Sequence, residues 1–228
     1  MLGKAAALLL LFFILPLSAQ ETRKSSWEWG IRTGPTISLY PEVLREVYHD
    51  RWHVDLSARY AFNSSIGITL SLSYQLFSPD LEGILNSFSV NPPEMESFDI
   101  RGGRLHVLAA DFSLSPFFTP ERFLTRFYCR IGAGYAAILC PRAEWNSRWL
   151  GKDVGNPKDS EYGSGFCAKA GLGVRQELDD NLFLVLETGV TGIFSGSSFT
   201  FAQMRSEMEA VKGHVVFLSV GAGLRFLL

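Results

Sequence analysis

The sequence predicts an all-β chain, an eight-stranded antiparallel up-and-down transmembrane β-barrel with short helical turns in the extracellular loops, and three observations carry that expectation. First, the stretch from Gly213 to Leu228 alternates: Val216, Leu218, Val220, Ala222, Leu224, Phe226 and Leu228 share one parity, and Phe217, Ser219, Gly221, Gly223 and Arg225 occupy the other. Successive side chains of a strand point to opposite faces. One face is therefore continuously apolar and the other mostly small and polar, as a lipid face and a lumen face require. Second, seven further segments alternate in the same way, and their connections run long, short, long, short, long, short, long. Third, a helix needs about 20 apolar residues to cross a bilayer. No run after Leu17 reaches that length, although 47% of the residues are hydrophobic.

The N-terminus reads as a leader to be removed. Lys4 supplies a positive start, Ala5 to Leu15 an apolar core, and Leu17-Ser18-Ala19 a small-residue cleavage site. Pro16 and Ser18 follow a core too short for a membrane helix. Residues 1–19 are thus assigned to a signal peptide, 20–26 to a short lead and 27–228 to one barrel domain. The 21 Lys and Arg, one of them Lys4 of the leader, stand against 23 Asp and Glu. That near-balance offers no electrostatic footprint for nucleic acid.

Taken in order, the first strand runs from Trp27 to Leu39, with Trp27, Trp29, Ile31, Ile37 and Leu39 outward and Glu28, Gly30, Arg32, Gly34, Thr36 and Ser38 inward. Pro35 has no ladder donor, so a local bulge is expected there. The next stretch breaks the alternation, and Val43, Leu44, Val47 and Tyr48 fall at helical spacing. The second strand carries Val54, Leu56, Ala58, Tyr60 and Phe62 outward against His53, Asp55, Ser57 and Arg59. Asn63-Ser64 closes a tight turn. The third strand alternates most cleanly, with Ile66, Ile68, Leu70, Leu72, Tyr74 and Leu76 opposing Gly67, Thr69, Ser71, Ser73 and Gln75.

A long loop is expected from Ser78 to Gly102, with Leu81, Ile84, Leu85 and Phe88 at helical spacing before Pro92-Pro93. The fourth strand sets His106, Leu108, Ala110, Phe112 and Leu114 against Leu105, Val107, Ala109, Asp111 and Ser113, its upper half apolar on both faces. The fifth sets Phe127, Cys129, Ile131, Ala133, Tyr135, Ala137 and Leu139 against Arg126, Tyr128, Arg130, Gly132, Gly134 and Ala136. Residues Pro141 to Tyr162 read as a polar excursion. In the sixth strand Phe166, Ala168, Ala170, Leu172 and Val174 oppose Cys167, Lys169, Gly171, Gly173 and Arg175, and Asp179-Asp180-Asn181 makes a turn. The seventh has Leu182, Leu184, Leu186, Thr188 and Val190 against Phe183, Val185, Glu187, Gly189 and Thr191. A last loop, with Met204, Met208 and Val211 at helical spacing, precedes the closing strand.

With both termini on one side, the short connections become periplasmic turns and the long ones extracellular loops. Aromatic residues gather near both strand ends, as interfacial girdles do. A soluble up-and-down barrel has the same strand count but would expose its polar parity, which should then be rich in Lys and Glu. Here that parity is dominated by Gly, Ser and Thr with isolated charges.

On these alternating segments, the signal peptide and the terminal Leu224-Arg225-Phe226 strand, the chain resembles the small eight-stranded outer-membrane barrels of the OmpA/OmpX kind. The resemblance implies a Gram-negative outer-membrane location, insertion by the barrel-assembly machinery, and contact with outer-membrane lipid and lipopolysaccharide. Tethering, adhesion, surface protection and narrow-pore conduction all occur in that family, and a surface protein partner held through the loops fits among them.

The inward parity collects Glu28, Arg32, His53, Asp55, Arg59, Asp111, Arg126, Arg130, Lys169, Arg175, Glu187 and Arg225. Charges inside so narrow a barrel must pair or stay hydrated. The expected result is a salt-bridged lumen in a non-catalytic structural or surface-interaction protein. The alternative is a narrow pore that leans toward anions, because the bases outnumber the acids.

A hydrolase reading would rest on His49, Asp50 and His214 at the loop ends, since a nucleophile or water needs a base and an orienting carboxylate. His53 and Asp55 share one strand face and read better as lumen groups. No P-loop, dinucleotide fingerprint, zinc spacing or nucleophile elbow occurs, so no catalytic residue, metal or cofactor is assigned. Export permits a disulfide. If Cys140 and Cys167 face each other, their hairpin centres between Asp153 and Val154, inside a turn-forming cluster; otherwise they are two buried thiols.

Overall fold

The computed structural model describes residues 27–41, 44–45, 48–62, 65–80, 95–120, 122–140, 143–149, 152–158, 161–199 and 211–227. Within them the strands are β1 (Trp27–Tyr40), β2 (Tyr48–Ala61), β3 (Ile66–Pro79), β4 (Met95–Gly102), β5 (Leu105–Pro116), β6 (Thr125–Cys140), β7 (Ala143–Trp149), β8 (Lys152–Lys158), β9 (Glu161–Asp179), β10 (Leu182–Phe199) and β11 (Val211–Leu227). Eight of these close a barrel in the order β1-β11-β10-β9-β6-β5-β3-β2, every neighbouring pair antiparallel. Closure leaves the barrel no free edge, the condition for a strand-built structure to stand in hydrocarbon.

The alternation sorts the side chains as a lipid-facing barrel requires. Ile66, Leu70, Val220 and Leu224 are 43%, 38%, 48% and 37% exposed, while the alternate positions Ser71, Thr69 and Arg225 are buried. A soluble barrel would have buried the first set. Outward aromatics at both ends, among them Trp52, Tyr135 and Phe166 near the long connections and Phe62, Phe123 and Phe226 near the short ones, are likewise exposed.

Three details differ from the sequence expectation. Pro35 pairs in register with Trp52, and the ladder to β11 passes from Thr33↔Ala222 to Thr36↔Ser219 with no inserted residue. The bulge lies instead between Ser38 and Tyr40. A missing donor costs one ladder bond but needs no extra residue. Second, parts of two connections expected as loops are strands. β4 pairs with β7 and β7 with β8, giving a separate three-stranded antiparallel sheet. Third, of the helical turns expected in the loops, Leu44 and Arg45 are helical, with the Leu44 N–H donating to the Pro41 carbonyl at 3.1 Å. Tyr48 belongs to β2. Val43, Val47, Leu81, Ile84, Leu85, Phe88, Met204 and Met208 lie outside the described residues.

The cysteine pairing is also corrected. The β6–β9 register sets Cys140 opposite Glu161 and Cys167 opposite Gly134. Six residues of strand, about 20 Å at the usual rise, separate the two positions, far beyond the Cα spacing a disulfide spans. All three cysteines are thiols; Cys140 and Cys167 are buried and Cys129 is half-buried. The centring argument fails because β7 and β8 move the turn of this excursion toward the N-terminal side of Asp153.

Candidate functional site in the barrel lumen

The inward parity builds three tiers, which follow one another from the short-turn end of the barrel to the long-loop end. The first contains Glu28 at the start of β1 with Arg59 of β2 and Arg225 of β11 beside it, and Arg175 of β9 and Arg126 of β6 from farther round the barrel. Glu28 Oε1 accepts from Arg59 Nη1 at 3.0 Å and from Arg175 Nη1 at 2.7 Å, and Arg225 Nη1 stands 3.9 Å from Oε2. Arg126 donates through Nε to the Thr119 carbonyl at 3.4 Å. Phe117 lies among them: the guanidinium carbons of Arg126, Arg59 and Arg175 are 4.1, 4.9 and 5.6 Å from its ring centre. Arg175 also sits 3.5 Å over Phe183. The negative ring faces attract guanidinium groups.

The second tier is a closed ring of alternating charge. Arg32 Nη2 is 3.2 Å from Asp55 Oδ2, Asp55 Oδ2 is 3.1 Å from Lys169 Nζ, and Lys169 Nζ is 3.3 Å from Asp111 Oδ2. Asp111 Oδ1 is 2.9 Å from Arg130 Nη2, and Arg130 Nη1 is 3.5 Å from Glu187 Oε1. Glu187 closes the circuit by contacting Arg32 Nη1. Three cations and three carboxylates thus each touch two partners of opposite sign. Further bonds reach the ring from its sides. Tyr128 Oη donates to Glu187 Oε2 at 2.8 Å, Arg130 Nε donates to Ser113 Oγ at 2.7 Å, and Arg130 Nη2 donates to Ser71 Oγ. Removing charges from water is expensive unless geometry and hydrogen bonds compensate, and here every member has two ion-pair partners, with Arg32 Nε the one ring nitrogen among the described residues left without an acceptor.

Inward glycines make room for these long side chains. A Cβ at Gly67 would lie 2.7 Å from the Arg59 guanidinium, and one at Gly221 would lie 2.9 Å from both Arg32 Cγ and His53 Nε2. His53 itself sits at the upper margin of the ring, its Nδ1 3.1 Å from Thr36 Oγ1. A cavity of about 10 Å³ lined by Gly30, Arg32, Asp55, Arg130 and Arg225 lies between the first two tiers. It has room for about one water molecule.

The third tier is apolar. Phe77, Leu105, Val107, Ile138, Ile193, Val215 and Phe217 fill the loop-side half of the lumen together with Cys140 and Cys167. Phe77 and Phe217 stack with ring centres 5.1 Å apart. Leu44, from the first long connection, and Tyr48, the first residue of β2, are buried in the same cluster and cap it.

All twelve charged residues singled out in the sequence therefore face the interior: eleven are buried and Arg175 is half-buried. The structure divides them into an arginine-rich group and a neutral ring. The residues that sequence reasoning passed over are Phe117, Tyr128 and the apolar tier. Their signal was present, since the inward parity turns from Gly and Ser to Phe, Leu and Ile near the loop end of several strands. Of the other histidines, His106 faces outward as its parity predicts, and its Nδ1 is 2.6 Å from Tyr74 Oη. His214 is exposed, its ring 5.4 Å from that of Phe194. The side chains of His49 and Asp50 lie outside the described residues.

The sequence matches no protein-family model and no curated protein. Solved structures do resemble it. Neisserial surface protein A superposes with a TM-score of 0.46 at 12% identity, covering 90% of this chain and 98% of its own. The attachment invasion locus protein Ail of Yersinia pestis gives 0.40 at 15% identity, covering 89% and 97%. The N-terminal β-barrel domain of Pseudomonas aeruginosa OprF gives 0.40 at 14% identity, covering 90% and 100%. By its eight closed antiparallel strands and its outward apolar band, the chain is a small β-barrel of the outer-membrane type.

Proposed function

We propose that the chain is a non-conducting, non-catalytic barrel of the bacterial outer membrane, exported by its leader, whose charge-filled lumen makes it a rigid platform for a structural or surface-interaction role. The observation that carries this reading is the stacking of the apolar tier on the closed ring. Water and ions would have to pass both. The β4-β7-β8 sheet supports the second half of the reading, because it gives two of the long connections an ordered backbone that can meet lipopolysaccharide or a partner protein. Purified protein in planar bilayers should stay silent at high protein load, and steady single-channel steps would refute the closed lumen.

A narrow, anion-leaning pore is the second reading. Arg59, Arg175 and Arg225 around Glu28 at the turn end favour it, since a basic mouth would concentrate anions. It requires the ring and the apolar tier to part. Currents carried preferentially by chloride in the same experiment would establish it. For the loop-end hydrolase reading, replacing His49 and His214 should leave any lipid or peptide hydrolysis by the purified protein unchanged, and loss of such an activity would restore it.

A further inference from the structure

We propose that Leu44 and Tyr48 form a cap on the loop-side mouth of the lumen and that Arg51 is the latch that holds it shut, so that release of one guanidinium opens the apolar tier while the barrel stays folded. The charge ring lies below the cap, so the inference holds whether or not the barrel conducts. The first observation is a bulge. The β2–β3 register steps from His49↔Ser78 to Trp52↔Leu76, three residues of β2 against two of β3. One extra residue reverses the facing of the strand beyond it and re-aims its side chains. Tyr48 and His53 are an odd number of positions apart, yet both are buried in the lumen. The extra residue is what turns Tyr48 inward.

The second observation is where Arg51, half-buried at this bulge, directs its donors. Its Nε donates to the Tyr48 carbonyl at 2.8 Å, and its Nη2 donates to the carbonyls of Arg45 at 2.6 Å and Leu44 at 3.2 Å. Nη2 also contacts the Tyr48 carbonyl. Leu44 and Arg45 are helical, and the last carbonyls of a helical turn have no N–H partner within it. One planar group thus gathers the backbone of both cap residues, through hydrogen bonds of the stronger, charge-assisted kind.

The third is what the cap covers. Leu44 and Tyr48 are 2% and 3% exposed, packed into the apolar tier with Phe77, Leu105, Ile138 and Phe217. Tyr48 Oη lies 3.8 Å from Cys140 Sγ, at the end of β6. Cys167 is buried deeper in the same tier, opposite Gly134, six positions down β6 from Cys140. The two thiols therefore report on two depths: Cys140 directly beneath the cap and Cys167 well below it.

The test uses the mature protein refolded in detergent and follows the reaction of its thiols with N-ethylmaleimide, the labelled cysteine being located by peptide mass spectrometry. In the parent, Cys140 and Cys167 should both stay protected. Arg51→Ala should raise the labelling rate of Cys140 about tenfold, because the cap then opens locally far more often, and should leave that of Cys167 unchanged. Arg51→Lys, which keeps a cation but loses the planar fork, should fall in between. Tyr48→Ala removes half of the cap itself and should expose Cys140 with the latch intact. Heat-shifted gel mobility verifies that each variant is folded, and if Arg51→Ala does not fold, Arg51→Lys and Tyr48→Ala decide. The proposal is overturned if Cys140 of the parent already reacts as fast as in the variants, or if it reacts as slowly in the folded variants as in the parent. It is also overturned if Cys167 becomes reactive in step with Cys140, since the barrel would then be loosening as a whole.

Discussion

Lys169 Nζ lies 3.1 Å from Asp55 Oδ2, although β9 and β2 stand four strands apart in either direction around the closed barrel. The ion pair therefore crosses the full diameter of the lumen. Neighbouring strands are already joined by backbone ladders, so a salt bridge between them adds little to closure. This one ties opposite walls together and occupies the space through which a solute would pass. Lys169→Met leaves Asp55 with Arg32 and Asp111 with Arg130, but strips one partner from each of two buried carboxylates. It should cost about 3 kcal/mol, visible as a lower urea midpoint for the heat-shifted folded band. In a double-mutant cycle with Asp55→Asn the two losses should be strongly less than additive. Additive losses would mean that the contact across the lumen does not form.

The ring and the apolar tier should act as two seals in series. Phe77→Ala with Phe217→Ala removes a stacked pair and leaves a cavity, at about 3 kcal/mol for each ring, yet bilayers containing the folded variant should stay silent while the ring is whole. Adding Lys169→Ala should then produce steady current. Conduction by the phenylalanine variant alone would show that the ring is no barrier.

Most of the barrel was legible because a lipid-facing strand states its own facing at every second residue. Ile66 to Leu76 and Val216 to Leu228 left no doubt about which side met hydrocarbon, and parity alone brought Glu28, Arg32 and Arg130 to one interior. The partner choices were not legible. Whether Lys169 meets Asp55 or Glu187 depends on stagger between strands that do not touch, and no local pattern records that. The apolar tier was obscured for a related reason. Leu105, Val107 and Phe217 sit where both parities are greasy, so alternation carries no information there. β4 and β7 escaped notice because their pairing joins residues far apart, Asp99 with Asn146 for example, and neither segment alternates strongly enough to announce a strand by itself.

The cysteines give a chemical check on the β6–β9 register. With Cys140 opposite Glu161 and Cys167 opposite Gly134, no intramolecular disulfide can close, even after export to an oxidising compartment. Folded protein should run identically with and without reductant. A maleimide reagent should leave Cys140 and Cys167 unlabelled until the barrel is unfolded, when all three thiols react. A reductant-sensitive band that disappears in Cys140→Ser would require another register.

Glycine placement gives the last prediction, because two similar substitutions should behave in opposite ways. Gly34 faces the lumen on β1, where a Cβ would run into the Val220 carbonyl and lie 2.8 Å from the Gly221 Cα on β11. Backbone atoms of a paired strand cannot rotate aside, and the spacing between strands is fixed by their hydrogen bonds. Gly34→Ala must therefore force β1 and β11, the pair that closes the barrel, apart. At Gly192 the nearest atoms to a Cβ are the far end of the Phe194 ring, at 3.3 Å, and a side chain at the barrel surface can turn away. Gly34→Ala should cost about 2 kcal/mol or more and leave much of the protein in the unfolded band after refolding. Gly192→Ala should refold within about 0.5 kcal/mol of the parent. Equal refolding yields for the two variants would mean that β1 and β11 do not meet in the register that sets Thr33 against Ala222.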